Sequence, residues 1–350
     1  MAIYVLKDII NYYNCLGSPV FTSFIDISKA YDRVNHAKLF QKMRDRSIPV
    51  HLVKFIAYWY VTQEIVIRWG SILTSPFKIS NSIRQGGLLS PFLFNLYLDS
   101  LSSNLNKSKV GCVVGSVLVN HIAYADDMVL LAPSVRALQM LLQVCDQYAV
   151  PHDIIYNTDK TFCMVFWPKK YGYKCIPSFK LQNAVLSIVT DFKYLGVVLR
   201  NNLADDTEIG KRMHSIYAIG NTIINKFKHC FTQVKLTMFR SYCSNVYCCS
   251  LWSSYKAFSI HKAKVAHNDI FRALLSTPRW HSASALFTEH RTNNLDAILR
   301  VSSYSLIRRL LASTNSIVAA VCRSGVRVHS RMWQRWSVLL GVDWESLMLM

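Results

Sequence analysis

The chain has 350 residues, with 40 basic and 20 acidic side chains and a formal net charge of +20. Hydrophobic residues make up 51% and charged ones 17%, with 12 glycines and 9 prolines, which excludes intrinsically disordered, collagen-like and low-complexity chains. The longest uninterrupted apolar run, Phe55–Val61, has 7 residues, far short of the roughly 18 a membrane span needs.

The N-terminal stretch lacks the basic, apolar and small-residue succession of a signal peptide. The ten cysteines are scattered without Cys-x-x-Cys or Cys/His ligand spacing. They read as reduced, mostly buried thiols of an intracellular protein, cytoplasmic or nuclear, with no zinc site. Positive charge is concentrated late in the chain. Between residues 209 and 335, 19 basic groups meet only Asp269, Glu289 and Asp296, and such single-sign charge points to a phosphate backbone as partner.

In chain order, Val20–Ile27 is a strand apolar on both faces and therefore central in a covered sheet. Asn35 caps a helix through about Ser47, and Pro49 ends it. Glu64–Trp69 and Pro76–Ser80 pair as a hairpin. Ser90-Pro91 opens a helix as N-cap and first residue, with Leu93, Leu96, Tyr97, Leu101 and Leu105 on one stripe. Val117–Ala125 and Met128–Ala132 are two apolar runs hinged at Asp126-Asp127, and Ser134 starts a helix with Leu138, Leu141, Leu142 and Cys145 inward. Thr161–Trp167 is a strand and Phe192–Leu199 part of a hairpin. The order strand, helix, hairpin, helix, strand predicts an α+β fold, a split βαβ antiparallel sheet with helices on one face. Beyond Asn201 the pattern is helical, at about 209–231, 234–249, 258–276, 294–313 and 329–341. The domain reading is 1–200 for the sheet-bearing part and 201–350 for a basic helical part.

Asp26 ends an otherwise apolar strand, where a buried, unpaired carboxylate is costly. Taken alone, it serves a structural cap or an open cleft equally well. Asp126-Asp127 lies between Tyr124 and Met128 in strongly apolar strands, and a turn needing only geometry would favour Asn-Gly or Asp-Gly. If Asp26 and this turn lie on neighbouring strands, three carboxylates converge. Their repulsion calls for a divalent cation, and an all-oxygen set suits Mg²⁺. A pair of such ions supports in-line phosphoryl transfer, either nucleotidyl transfer or phosphodiester hydrolysis.

Five motifs then occur in order: Phe24-Ile-Asp-Ile-Ser-Lys-Ala-Tyr-Asp32; Ile83-Arg-Gln-Gly-Gly-Leu-Leu-Ser-Pro91 with Leu93-Phe-Asn95; Tyr124-Ala-Asp-Asp127; Asn157 to Lys160-Thr161; and Phe192-Lys-Tyr-Leu-Gly196. This series resembles the palm of reverse transcriptases from non-LTR, LINE-type retrotransposons, and the likeness runs on into the basic helices, which resemble a thumb. The resemblance implies that Asp26, Asp126 and Asp127 hold two Mg²⁺ ions, with Mn²⁺ as a substitute, aided by the Ile27 carbonyl. Lys29 and Ala30 would present backbone amides to the triphosphate, and Tyr31 would exclude a ribose 2′-hydroxyl. Arg84 and Gln85 would border nucleotide and template, and Lys160 would protonate the leaving pyrophosphate. Tyr194, Leu195 and Gly196 would grip the primer end.

The implied partners are an RNA template, a DNA primer, their hybrid and deoxynucleoside triphosphates. The chain departs from the family pattern at Ser82, where glycine is common, and at Ser100, where an acidic residue is common. The first motif begins only about twenty residues from Met1, so an incomplete fingers region is expected. Two further readings remain open: a catalytically silent nucleic-acid-binding remnant, and a metal-dependent nuclease.

Overall fold

The computed structural model describes residues 1–168, 178–323 and 329–343. Helix α1 (Ala2–Cys15) leads into β1 (Val20–Ile25), followed by α2 (His36–Asp45) and α3 (Val50–Val61). Strands β2 (Glu64–Ile65), β3 (Arg68–Trp69), β4 (Ile72–Leu73) and β5 (Phe77–Lys78) form one two-tiered hairpin, β2 pairing with β5 and β3 with β4. Next come α4 (Ser90–Lys107), β6 (Cys112–Val114), β7 (Val117–Val119), β8 (His121–Tyr124), β9 (Asp127–Ala132), α5 (Val135–Ala149) and β10 (Phe162–Phe166). β11 (Phe179–Leu181) and β12 (Ala184–Ile188) precede a separate hairpin of β13 (Asp191–Tyr194) and β14 (Val197–Arg200). The helices α6 (Asp206–Lys226), α7 (Thr232–Tyr242), α8 (Ala257–Leu274), α9 (Ala283–Glu289), α10 (Leu295–Leu311), α11 (Ser316–Arg323) and α12 (Arg331–Leu340) complete the described chain.

The main sheet has the order β11-β12-β10-β1-β9-β8, so the strand that is apolar on both faces does lie in the interior. It is antiparallel except at β10/β12, which run parallel. Side chains alternate between faces. Phe21, Ile25, Leu130, Ala132, Cys163 and Val165 enter the core under α2, α4 and α5. Val20, Phe24, Val129, Leu131, Met164 and Phe166 enter the opposite core. Each such fully buried large side chain contributes about 1.5–3 kcal/mol relative to exposure, so β1 is anchored from both sides.

The second face is covered by α1, by the β13–β14 hairpin and by α10, α11 and α12. The C-terminal helices thus divide. Helices α6 to α9 and the start of α10 build their own core, while the end of α10 with α11 and α12 returns to the sheet. Trp333 donates to the Tyr4 hydroxyl at 2.9 Å and Trp336 to the Ser250 carbonyl at 2.8 Å. Trp252, Trp333 and Trp336 are therefore core residues, whereas Trp280 is exposed; the fifth tryptophan of the basic part, Trp344, lies outside the described residues.

Local signals mostly act as read. The Asn35 side chain accepts from Lys38 N at 3.2 Å, and that of Ser134 from Ala137 N at 3.2 Å. Ser90 differs: it is the first residue of α4, not its cap, because its hydroxyl turns back to donate to the Arg84 carbonyl. Among the described residues every cysteine is a free thiol. Cys175 lies outside those residues. No helix of the described residues is long and apolar enough to cross a membrane.

Candidate active site

Strand register brings the first and third motifs together. Ile25 pairs with Met128 across β1 and β9, so one step further Asp26 stands opposite Asp127. Alternation assigns both carboxylates to the face that carries Phe24 and Val129. Asp126 occupies the two-residue turn between β8 and β9, closed by the Tyr124/Asp127 pair, with Ala125 in the left-handed region at φ 54°. Both Asp126 and Asp127 are exposed and Asp26 is half-buried.

Partial burial raises the pKa of Asp127, and the negative charges of Asp126 and Asp26 raise it further. None of the three carboxylates has an ion-pair or hydrogen-bond partner among the described residues. Three converging anions without a protein cation fit a hard divalent metal, whose charge would reverse that pKa shift. The backbone brings the set together, although among the described residues no three His, Cys, Asp or Glu side chains are gathered into a closed ligand group.

The loop after Asp26 is tied down from one side and open on the other. Ser28 N donates to Ile155 O at 2.8 Å, Asn157 N to Asp26 O at 2.9 Å, and Asp26 N to Thr161 Oγ1 at 3.2 Å. Ile27 forms a bridge with Tyr156. The loop that carries Lys160 is thereby fixed beside Asp26, with the exposed Lys160 closing it through its own amide to Asn157. The amides of Lys29, Ala30 and Tyr31 donate to no described group, which leaves a run of N–H groups free for an anion.

Tyr31 stacks on Phe94, with centroids 5.0 Å apart and planes at 20°, and its carbonyl accepts from Ile83 N at 2.7 Å. That bond joins the first motif to the second. Gly86, at φ 80°, and Gly87 shape the turn within the second motif; a β-carbon on Gly87 would meet Ser90 Oγ at 2.7 Å and Arg84 O at 3.1 Å. Tyr31, Gln85, Gly86, Leu88, Pro91 and Asp126 border one cleft of about 650 Å³. Arg84 is exposed outside it, and Gln85 reaches Asp32 at 3.4 Å.

Residues 6–199 match the model of the reverse transcriptase (RNA-dependent DNA polymerase) family. The chain belongs to the reverse transcriptase family. Its similarities are to polymerases of non-LTR elements. Over 186 residues it is 30% identical to the Pol polyprotein of the type-2 retrotransposable element R2DM of Drosophila melanogaster, covering 49% of this chain and 17% of that one. It is 26% identical over 198 residues to the RNA-directed DNA polymerase from mobile element jockey of Drosophila funebris, covering 55% and 21%. Among solved structures, apo telomerase from Candida tropicalis is 11% identical with a TM-score of 0.47, covering 100% of this chain and 54% of that one. This reverse transcriptase chain therefore spans about a fifth of the length of those two curated relatives.

The fifth motif sits over the carboxylate face of this reverse transcriptase. Phe24 stacks on Phe192 at 4.5 Å and meets Tyr194 at 5.4 Å. Burial raises the pKa of Tyr194, and the nearby charge of Asp127 adds to the effect. Leu195 and Gly196 form the hairpin turn, at φ 45° and 81°. Arg212 Nη2 donates to Gly196 O at 2.6 Å and Tyr247 OH to Leu195 O at 3.1 Å. Neither residue stands out in the sequence as part of a site. Arg212 reads there as one polar residue of a helix, and its only signal is Glu208 one turn earlier.

Proposed function

We propose that this chain is the RNA-directed DNA polymerase core of a LINE-type retrotransposon, extending a primer 3′ end on an RNA template with deoxynucleoside triphosphates. The observation that carries the reading is the register that sets Asp26 against Asp127 beside the Asp126 turn, at the edge of the cleft bordered by Tyr31 and Gln85. Asp26, Asp126 and Asp127, with the Ile27 carbonyl, would hold a pair of Mg²⁺ ions. Bound there, such ions activate the attacking hydroxyl and stabilise the leaving oxygen.

The remaining work falls to the chain's own groups. Free amides at Lys29 and Ala30 would donate hydrogen bonds to triphosphate oxygens, and Arg84 would add charge at the mouth. Tyr31, braced by Phe94, presents its ring where a 2′-hydroxyl would project, the local difference between ribo- and deoxyribonucleotides. Gln85 lines the nucleotide side of the cleft. Lys160, on the loop tied beside Asp26, would give a proton to the departing pyrophosphate. Tyr194, Leu195 and Gly196, beside Phe24 of the first motif, would grip the primer terminus as it approaches the carboxylates. The basic helices after residue 201 act as a thumb on the hybrid backbone, reading shape and charge and not bases.

A second reading, a silent nucleic-acid-binding remnant, is favoured by Ser82. It adopts φ 135°, a conformation suited to glycine, at the entrance to the second motif. Primer extension on poly(rA)·oligo(dT) with Mg²⁺ separates the two. Incorporation by the wild type that is lost in Asp126→Asn supports the polymerase, whereas binding without incorporation in both supports the remnant.

A further inference from the structure

We infer that Arg212, together with Glu208 and Tyr247, positions the β13–β14 turn and through it the primer 3′ end; the inference rests on the polymerase reading above. The turn is strained, because both Leu195 and Gly196 are left-handed and Leu195 carries a side chain there. Two-residue hairpins normally place Asn-Gly or Asp-Gly in this conformation, and a strained residue persists only when its surroundings over-determine it.

Those surroundings reach in from the helical part of the chain. The Leu195 carbonyl accepts from the Tyr247 hydroxyl at 3.1 Å, the Gly196 carbonyl from Arg212 at 2.6 Å, and Val198 N donates to Glu208 Oε2 at 2.8 Å. Arg212 also pairs with Glu208, and its guanidinium lies 5.0 Å over the Tyr247 ring. A β-carbon on Gly196 would meet that ring at 3.3 Å. The Glu208 side chain is 1% exposed, so a buried charge has been spent on holding one turn.

The turn so held is next to the chemistry. Tyr194, just before it, packs 5.4 Å from the ring of Phe24, two residues before Asp26. Leu195 and Tyr247 share a cavity of about 930 Å³ with Tyr124, two residues before Asp126. A shift of the turn on the order of 1 Å would displace whatever it presses toward the carboxylates, and misplacement of that size costs about a hundredfold in rate. Arg212, Glu208 and Tyr247 touch no reacting atom in this account; they are positioning residues.

Steady-state primer extension on Arg212→Gln, Arg212→Lys and Tyr247→Phe, with hybrid affinity and thermal midpoint measured alongside, tests this. The expected result is a fall in kcat of roughly ten- to a hundredfold for Arg212→Gln and severalfold for Tyr247→Phe. Hybrid Kd and nucleotide KM should hold within about twofold, and Arg212→Lys should recover part of kcat because it keeps one donor. Arg212→Gln and Tyr247→Phe that melt like the wild type and extend at its rate overturn the inference. So does a loss of kcat that merely tracks the thermal midpoint and the hybrid affinity. Absence of incorporation by the wild type would sink the polymerase reading by itself. Photocrosslinking from a 4-thiothymidine at the primer terminus then decides the positioning claim. A crosslink to residues 191–200 that disappears in Arg212→Gln and Tyr247→Phe supports it, and an undiminished crosslink, or none in the wild type, overturns it.

Discussion

His267 lies in the core formed by α6 to α9, fully buried, with its ring 5.4 Å from Phe287 at 12° and 5.2 Å from Phe239. Neither ring nitrogen has a hydrogen-bond partner among the described residues. Burial lowers its pKa to about 4, against about 6.5 for an unfolded histidine. Between those values the unfolded chain binds a proton that the folded chain refuses. The stability this residue provides is therefore complete above about pH 6.5 and drains away as pH falls toward 4. From pH 7 to pH 5 the loss is on the order of 2 kcal/mol, about 1.5 units at 1.36 kcal/mol each. His267→Phe removes the titration and keeps a stacking ring, and it also removes two unpaired buried nitrogens, so it should be at least as stable at neutral pH. Urea denaturation of wild type and variant at pH 7 and pH 5 isolates the effect, because every other titrating group is common to both. A variant that keeps the wild-type difference between the two pH values would refute the argument.

Four further outcomes follow from particular contacts. Ser82→Gly should stabilise the chain by about 1 kcal/mol, the lower end of the strain released at a left-handed non-glycine residue, read as a rise in thermal midpoint; Ser82 O must keep accepting from His36 at 2.7 Å. Ser100→Asp should stabilise by about 1 kcal/mol, since half-buried Lys42, whose pKa burial lowers, donates to the hydroxyls of Ser100 and Tyr148 and has no carboxylate in ion-pair reach among the described residues; an unchanged midpoint contradicts this. Lys7→Met should cost about 3 kcal/mol in urea denaturation, because Asp205, 2.6 Å from Lys7 and 5% exposed, would keep, among the described residues, only the amides of Ser253 and Ser254. Tyr31→Ala should admit ribonucleotides more readily in primer extension, and equal discrimination by both proteins would end the proposed gate role.

What could be read from the sequence depended on contrast along the chain. β1 was legible as an interior strand because both of its faces are apolar, and α5 because Ser134 caps a clean inward stripe. α3 was missed because it is apolar nearly all round, with Phe55 and Tyr58 exposed, so no periodic face marks it as helical. α1 was under-read for the opposite reason. Lys7 and Asp8 interrupt its apolar residues, yet Ile3 to Asn11 is a continuous buried stretch in which Lys7 is neutralised by Asp205, almost 200 residues away. The covering of the second sheet face by α10 to α12 was invisible for the same reason, since those contacts have no local signature.

The carboxylate site shows where that limit bites. Composition and flanks single out Asp26 and Asp126-Asp127, but their meeting depends on the register of β9 against β1, strands more than 100 residues apart in sequence. In a sheet with one wet face, a one-residue slip would expose every apolar side chain and be rejected on polarity alone. Here β9 reads Met128-Val-Leu-Leu-Ala132, apolar on both faces, and so does most of β1. Polarity therefore does not choose between registers. The choice falls to side-chain volume, with small Ala132 set opposite Phe21, and to the tight Tyr124/Asp127 closure at which β9 begins. A slip by one residue would carry Asp127 to the face of Ile25 and away from Tyr194. The alignment on which the proposed metal site depends is thus fixed by packing on two buried faces, and packing of that kind can be seen only once both cores are assembled.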